Sequence, residues 1–152
     1  VPWKGGLRMV PLGIDREKIA LQLERLEEYL KELEDIKERF KKGEEDKALL
    51  PAVERLLQIT TEECLNIGSH LIAGLGLKRA DTYKEVFVRL KDAGIISGKL
   101  GTVMEEFASF RNRLVHLYYE VSRKEIISKL EETGFLREFA QQILAYLEKN
   151  QT

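Results

Sequence analysis

The segment Phe110–Val121, FRNRLVHLYYEV, concentrates the side chains of this sequence that could do chemistry together. It places Arg111, Asn112, Arg113, His116, Tyr118 and Tyr119 at the end of an otherwise apolar stretch. An imidazole with an unperturbed pKa of about 6.5 exchanges a proton near neutrality, and a guanidinium is a planar fork matched to phosphate oxygens. Such groups can cleave RNA without a metal ion. A histidine takes the proton of the 2′-hydroxyl, the oxygen attacks the adjacent phosphorus, arginines stabilise the charged transition state, and an acid protonates the 5′-oxygen. The need for a 2′-hydroxyl selects RNA over DNA. One histidine does not conveniently serve as both base and acid, so a two-fold homodimer facing two copies of His116 across a cleft is expected.

Helical geometry constrains this grouping. At about 100° per residue, Asn112 and Arg113 share a face with His116, whereas Arg111 and Tyr118 share a line about 140° away. Three routes could bring them together: the helix unwinds after His116, the long Arg111 side chain reaches around, or a second copy completes the site. The last two in combination are favoured. Spacing alone also fits a plainer picture, in which His116 and the tyrosines cap the last carbonyls and the arginines pair with Glu105, Glu106 or Glu120. His70, in NIGSHLI, reads as a hydrogen-bonded packing residue, and Cys64 as a small core side chain.

Other chemistries lack their residues. There is no Gly-rich phosphate loop, nucleophile elbow or calcium loop, and one cysteine with two histidines makes no clustered zinc site. No metal ion or cofactor is expected. With 25 basic and 26 acidic side chains the chain is not a polycation, but ten basic residues face six acidic ones between Gly76 and Lys124. A basic middle between acidic flanks suits an anionic ligand held at one place. No apolar run approaches the roughly 18 residues of a membrane span, so a cytoplasmic protein without membrane attachment is expected.

The elements that must position these residues are helices. A length of 152 residues fits one domain, expected over 15–148 after a flexible arm at 1–14 that is rich in Pro and Gly. From the Asp15 cap, Ile19, Leu23, Leu26, Leu30, Leu33, Ile36 and Phe40 form one helical stripe ending near Gly43. A second helix runs from about Asp46 to Ala73. Thr82 with Glu85 opens a third, Ser97 caps a fourth over about Gly98–Leu117, and Ser122 with Glu125 opens a fifth that Gly134 breaks before a last piece. The expected fold is all-α, an antiparallel bundle of about five helices.

Arg111, four residues, His116, one residue and Tyr118 resemble the R-x-x-x-x-H-x-Y motif of HepT-like proteins of the HEPN superfamily. The segments AVERLLQITTEECLNIGSHLIAGLG (Ala52–Gly76) and TYKEVFVRLKDAGIIS (Thr82–Ser97) are similar to that family's second and third helices, and the likeness extends over about Asp15–Leu147. The resemblance implies a HEPN-like helical-bundle homodimer that acts as a metal-independent endoribonuclease. It also implies a toxin role beside a minimal nucleotidyltransferase antitoxin. Arg111 and His116 would be the catalytic pair, and Tyr118 the tyrosine that the nucleotidyltransferase modifies with AMP. Asn112 and Arg113 would position RNA, with Arg123 and Lys124 adding phosphate contacts. Asn66 stands where many relatives would carry an acidic residue, so no second-helix side chain is assigned to the site. The alternative is a non-catalytic subunit that docks a nucleotidyltransferase or helps it hold nucleotide substrate.

Overall fold

A computed structural model describes residues 7, 9–44, 46–116 and 120–151. Among them are six helices: α1 (Arg16–Lys41), α2 (Asp46–Gly74), α3 (Tyr83–Asp92), α4 (Gly98–Val115), α5 (Arg123–Glu131) and α6 (Gly134–Lys149). The last two are the interrupted fifth helix of the sequence reading. The expected caps form. The side chains of Asp15, Thr82, Ser97 and Ser122 each accept a hydrogen bond from the backbone N–H three residues on, satisfying donors that have no partner inside the helix.

Periodicity becomes packing. Ile19, Leu23, Leu26, Leu30, Leu33 and Ile36 of α1 are buried against Val53, Leu57, Cys64, Ile67 and Leu71 of α2 in one continuous core. Full burial of such a side chain contributes about 1.5–3 kcal/mol. Phe87 of α3 meets Phe139 of α6 edge to face, with ring centroids 5.7 Å apart, which ties the short third helix to the bundle.

The first two helices are antiparallel, as their ends show. Gly13, just before α1, lies against Gly74 at the end of α2, so closely that a Cβ on Gly13 would fall 2.0 Å from the Gly74 carbonyl oxygen. Its φ of +97° is one that only glycine adopts freely. Pro11 and Ile14 are buried, so the described end of the 1–14 arm joins the core. Helices α3 and α4 are also antiparallel: Lys91 near the end of α3 packs against Gly101 near the start of α4, and Tyr83 at the start of α3 meets Arg111 near the end of α4. The end of α4 is therefore flanked by the start of α3 and the middle of α2.

His70 is a packing residue, as its sequence context suggests. Its Nε2 accepts the backbone N–H of Asp15 at 3.1 Å, and its Nδ1 lies 3.1 Å from Gln22 Oε1. The two bonds require a neutral ring with the proton on Nδ1. Burial, and next the charge of Lys18, push its pKa below the ordinary histidine value, against the pull of Asp15. The unfolded chain therefore binds this proton more readily than the native one. The stabilisation is whole above about pH 6.5 and is lost as pH falls through the native pKa. His70→Asn is expected to cost about 1 kcal/mol at pH 7.5. The gap to wild type in denaturant midpoints should narrow toward pH 5, and a constant gap would contradict the assignment.

Candidate functional site

Helix α4 stops at Val115. His116 is its C-cap, with extended backbone (φ −86°, ψ 120°) and its N–H donating to the Asn112 carbonyl at 3.2 Å. The sequence reading carried this helix to Leu117 and favoured a reach-around or a second copy over unwinding. The chain instead leaves the helix at the histidine itself. His and Val both have middling helix propensity, so the last turn has little intrinsic preference to continue. The result frees the imidazole from the 100° rule, and it emerges exposed at the mouth of a groove.

That groove, about 550 Å³, runs between the start of α3 and the end of α4. Arg111, Asn112, Val115 and His116 line one wall, Thr82 and Tyr83 the other, and Ser69 of α2 contributes to the same surface. Three of the sequence-derived residues thus converge: Arg111, Asn112 and His116.

Arg111 is the most constrained of them, with its side chain 17% exposed. Its Nε and Nη2 donate to the same carboxylate oxygen of Glu62, at 2.8 and 2.5 Å, and Nη1 donates to Asn112 Oδ1 at 3.3 Å. The guanidinium lies over the Tyr83 ring, 4.9 Å from its centroid, within the range of a cation–π contact. Glu62 is steadied in turn by Gln58, one helical turn earlier, whose amide donates at 3.3 Å. A guanidinium has five N–H donors. Among the described residues one donor on each terminal nitrogen lacks a partner, so two N–H groups of Arg111 remain able to meet an acceptor.

The remaining residues lie elsewhere. Arg113 turns away from the groove and pairs with Glu125 of α5, whose carboxyl it holds below its ordinary pKa. Arg123 and Lys124 are exposed in the first turn of α5 and are not among the groove residues. Tyr118 falls outside the described residues. The acids that meet Arg111 and Arg113 include Glu62 and Glu125, which the plainer pairing did not name. Cys64 is buried and its thiol pKa is driven well up by burial, which leaves it a core residue. No group of three or more metal-ligating side chains occurs among the described residues, and none of their helices is long and apolar enough to cross a membrane.

Glu62, Gln58 and Tyr83 were missed from sequence. A signal for Glu62 was present. It lies one turn before Asn66, the position where an acid was sought, and Glu62, Asn66 and Ser69 share a stripe of α2.

Comparison with known proteins bears on this arrangement. The family model described as ribonuclease HepT-like matches residues 19–143. An Archaeoglobus fulgidus protein named "Putative RNase" is 32% identical over 128 residues, spanning 84% of this chain and 93% of its own. The "tRNA nuclease HepT" of Aphanizomenon flos-aquae is 30% identical over 73 residues, 48% of this chain and 50% of that protein. The Bacillus subtilis cytosolic protein YutE superposes with a TM-score of 0.77 at 21% identity, covering 91% of this chain and 94% of its own. A chain of a toxin–antitoxin structure with AMP-PNP superposes at 0.74 and 20% identity, covering 84% and 97%. The all-α, HEPN-like architecture expected from sequence is therefore the one this molecule has, and the chain belongs to the ribonuclease HepT-like family.

Proposed function

We propose that this chain is a metal-independent endoribonuclease working as a homodimer, the toxin of a pair whose antitoxin is a minimal nucleotidyltransferase. The observation that carries the reading is the convergence of Arg111, Asn112 and His116 on one groove, with Arg111 oriented by Glu62. The strand's scissile phosphate sits on the two remaining N–H groups of Arg111. His116 of one protomer removes the 2′-hydroxyl proton as that oxygen bonds to phosphorus. The bond from phosphorus to the 5′-oxygen breaks, and the partner's His116 supplies the proton that this oxygen takes. The products are a 2′,3′-cyclic phosphate and a 5′-hydroxyl. Arg111 stabilises charge on the equatorial oxygens, and Asn112 helps to aim it.

The likeness to a relative named as a tRNA nuclease supports a structured cytoplasmic RNA of that class as substrate. A fold shared with a chain of a toxin–antitoxin structure supports the antitoxin partner. Tyr118 follows His116 by two residues in sequence, and an AMP group on it would add phosphate charge able to compete for Arg111.

Three outcomes are expected. Wild-type protein should cut RNA with chelator present, and His116→Ala and Arg111→Ala should each slow cleavage by about 100-fold or more. Equal cleavage by wild type and His116→Ala on a gel would sink the proposal, and stable co-purification with a nucleotidyltransferase but no cleavage would make the chain a docking subunit. Glu62→Gln should lower kcat about 10- to 100-fold with little change in KM. It should have no further effect once Arg111 is alanine, because Glu62 acts through that side chain. Finally, RNA affinity should fall steeply with salt, and replacing Arg113, Arg123 or Lys124 by Gln should each reduce the logarithmic salt slope by about 1 if that residue meets a phosphate. An unchanged slope would remove it from the RNA surface.

A further inference from the structure

We infer that the open face of Tyr83 is a nucleobase subsite, on which a base beside the phosphate held by Arg111 stacks. The inference rests on the nuclease reading and adds to it the contact that grips the strand. Tyr83 is 47% exposed, one of few large apolar side chains so open among the described residues. It is the first residue of α3, directly after the Thr82 cap, so its backbone is fixed. Thr82 Oγ1 accepts from the Glu85 N–H at 3.2 Å and Glu85 Oε2 accepts from the Asp81 N–H at 2.7 Å, closing the turn from both sides. The ring thus stands on a fixed stretch of backbone at the wall of the groove that also holds Arg111, Asn112 and His116.

One face of the ring carries the Arg111 guanidinium at 4.9 Å, itself locked by Glu62, while 47% of the residue stays exposed. A tyrosine needed only to cover that cation would do so with one face, and the rest of the ring would gain nothing by standing in water. A ribonucleotide supplies both complementary parts at a fixed spacing: a phosphate for the guanidinium and an aromatic base for the ring. A cation on the far side of the ring also leaves the near face to a neutral aromatic ligand. Because every base has a π face, the stack should tolerate all four, with purines ahead through larger overlap.

The test uses wild-type protein, which has no phosphodiester to cut in these monoesters, and titrates the four nucleoside 3′-monophosphates and ribose 5-phosphate by calorimetry or NMR. Tyr83→Phe should keep nucleotide affinity within about twofold, while Tyr83→Leu should weaken nucleotides about tenfold and leave ribose 5-phosphate unchanged. Equal weakening of nucleotides and of the base-free sugar phosphate would overturn the inference, since Tyr83 would then act only by holding Arg111. Nucleotides that fail to bind at all would overturn it as well. If the contrast holds but wild-type protein cuts no RNA, the subsite stands and the nuclease reading falls, so the two fail separately.

Discussion

A guanidinium cannot lose its charge, so wherever the chain buries most of one it must also bring an acceptor. Arg111 sits near the end of α4 with little of its side chain open to water, and Glu62 on α2 meets that requirement. Hydrogen bonds to a charged group contribute about 1.5–3 kcal/mol, but desolvation of both ions offsets much of this. The pair is therefore better understood as a device for orientation. It fixes how α4 sits on α2, and it fixes which edge of the guanidinium faces outward. Both donors spent on Glu62 lie on one edge of the guanidinium, and one N–H on each terminal nitrogen is left beyond the bonds to Glu62 and Asn112.

Orientation of the arginine would be of little use if α4 continued regularly, because the imidazole would then lie on another side of the helix. The early end at Val115 resolves the conflict. The extended backbone of His116 redirects the chain, so that two side chains five residues apart share a groove without either reaching far. The same break separates Arg111 from Arg113. The first is drawn to α2 and α3, the second to Glu125 on α5. Two arginines that look equivalent in the sequence thus have different tasks, one facing the groove and the other joining α4 to α5.

The scaffold was legible because its determinants are local. Apolar stripes of period 3.6 and four capping side chains fix where helices begin and which face they bury, and Asp15, Thr82, Ser97 and Ser122 act as read. The grouping of Arg111 with His116 was legible as composition, but its geometry was not. Whether a helix stops at residue 115 or 117 turns on small differences in propensity and packing, and boundaries are where such readings are weakest. Glu62 and Tyr83 were invisible for another reason. Each acts across a tertiary contact 49 or 28 positions distant from Arg111 in sequence, and no periodicity encodes such a pairing. His70 was legible as a packing residue, although its partners Asp15 and Gln22 were not.

Charge placement unites these observations. The chain carries almost equal numbers of acids and bases, so attraction for a polyanion must come from local geometry rather than from net charge. At the groove, Glu62 cancels part of the field of Arg111 while fixing its direction. Under the proposed function this exchanges nonspecific pull for a defined orientation of the cation that meets the phosphate. An arrangement of this kind suits an enzyme that must hold one phosphodiester in register with an imidazole. A surface meant only to coat nucleic acid would leave its arginines uncompensated and mobile. The groove also presents one imidazole per chain, and general acid–base cleavage of a phosphodiester calls for two proton-transfer positions on opposite sides of phosphorus. With His70 committed to the start of α1, the proposed mechanism assigns the second position to a partner protomer. A two-fold copy is the simplest source, because the same exposed end of α4 that offers His116 to the groove would offer it again across the axis.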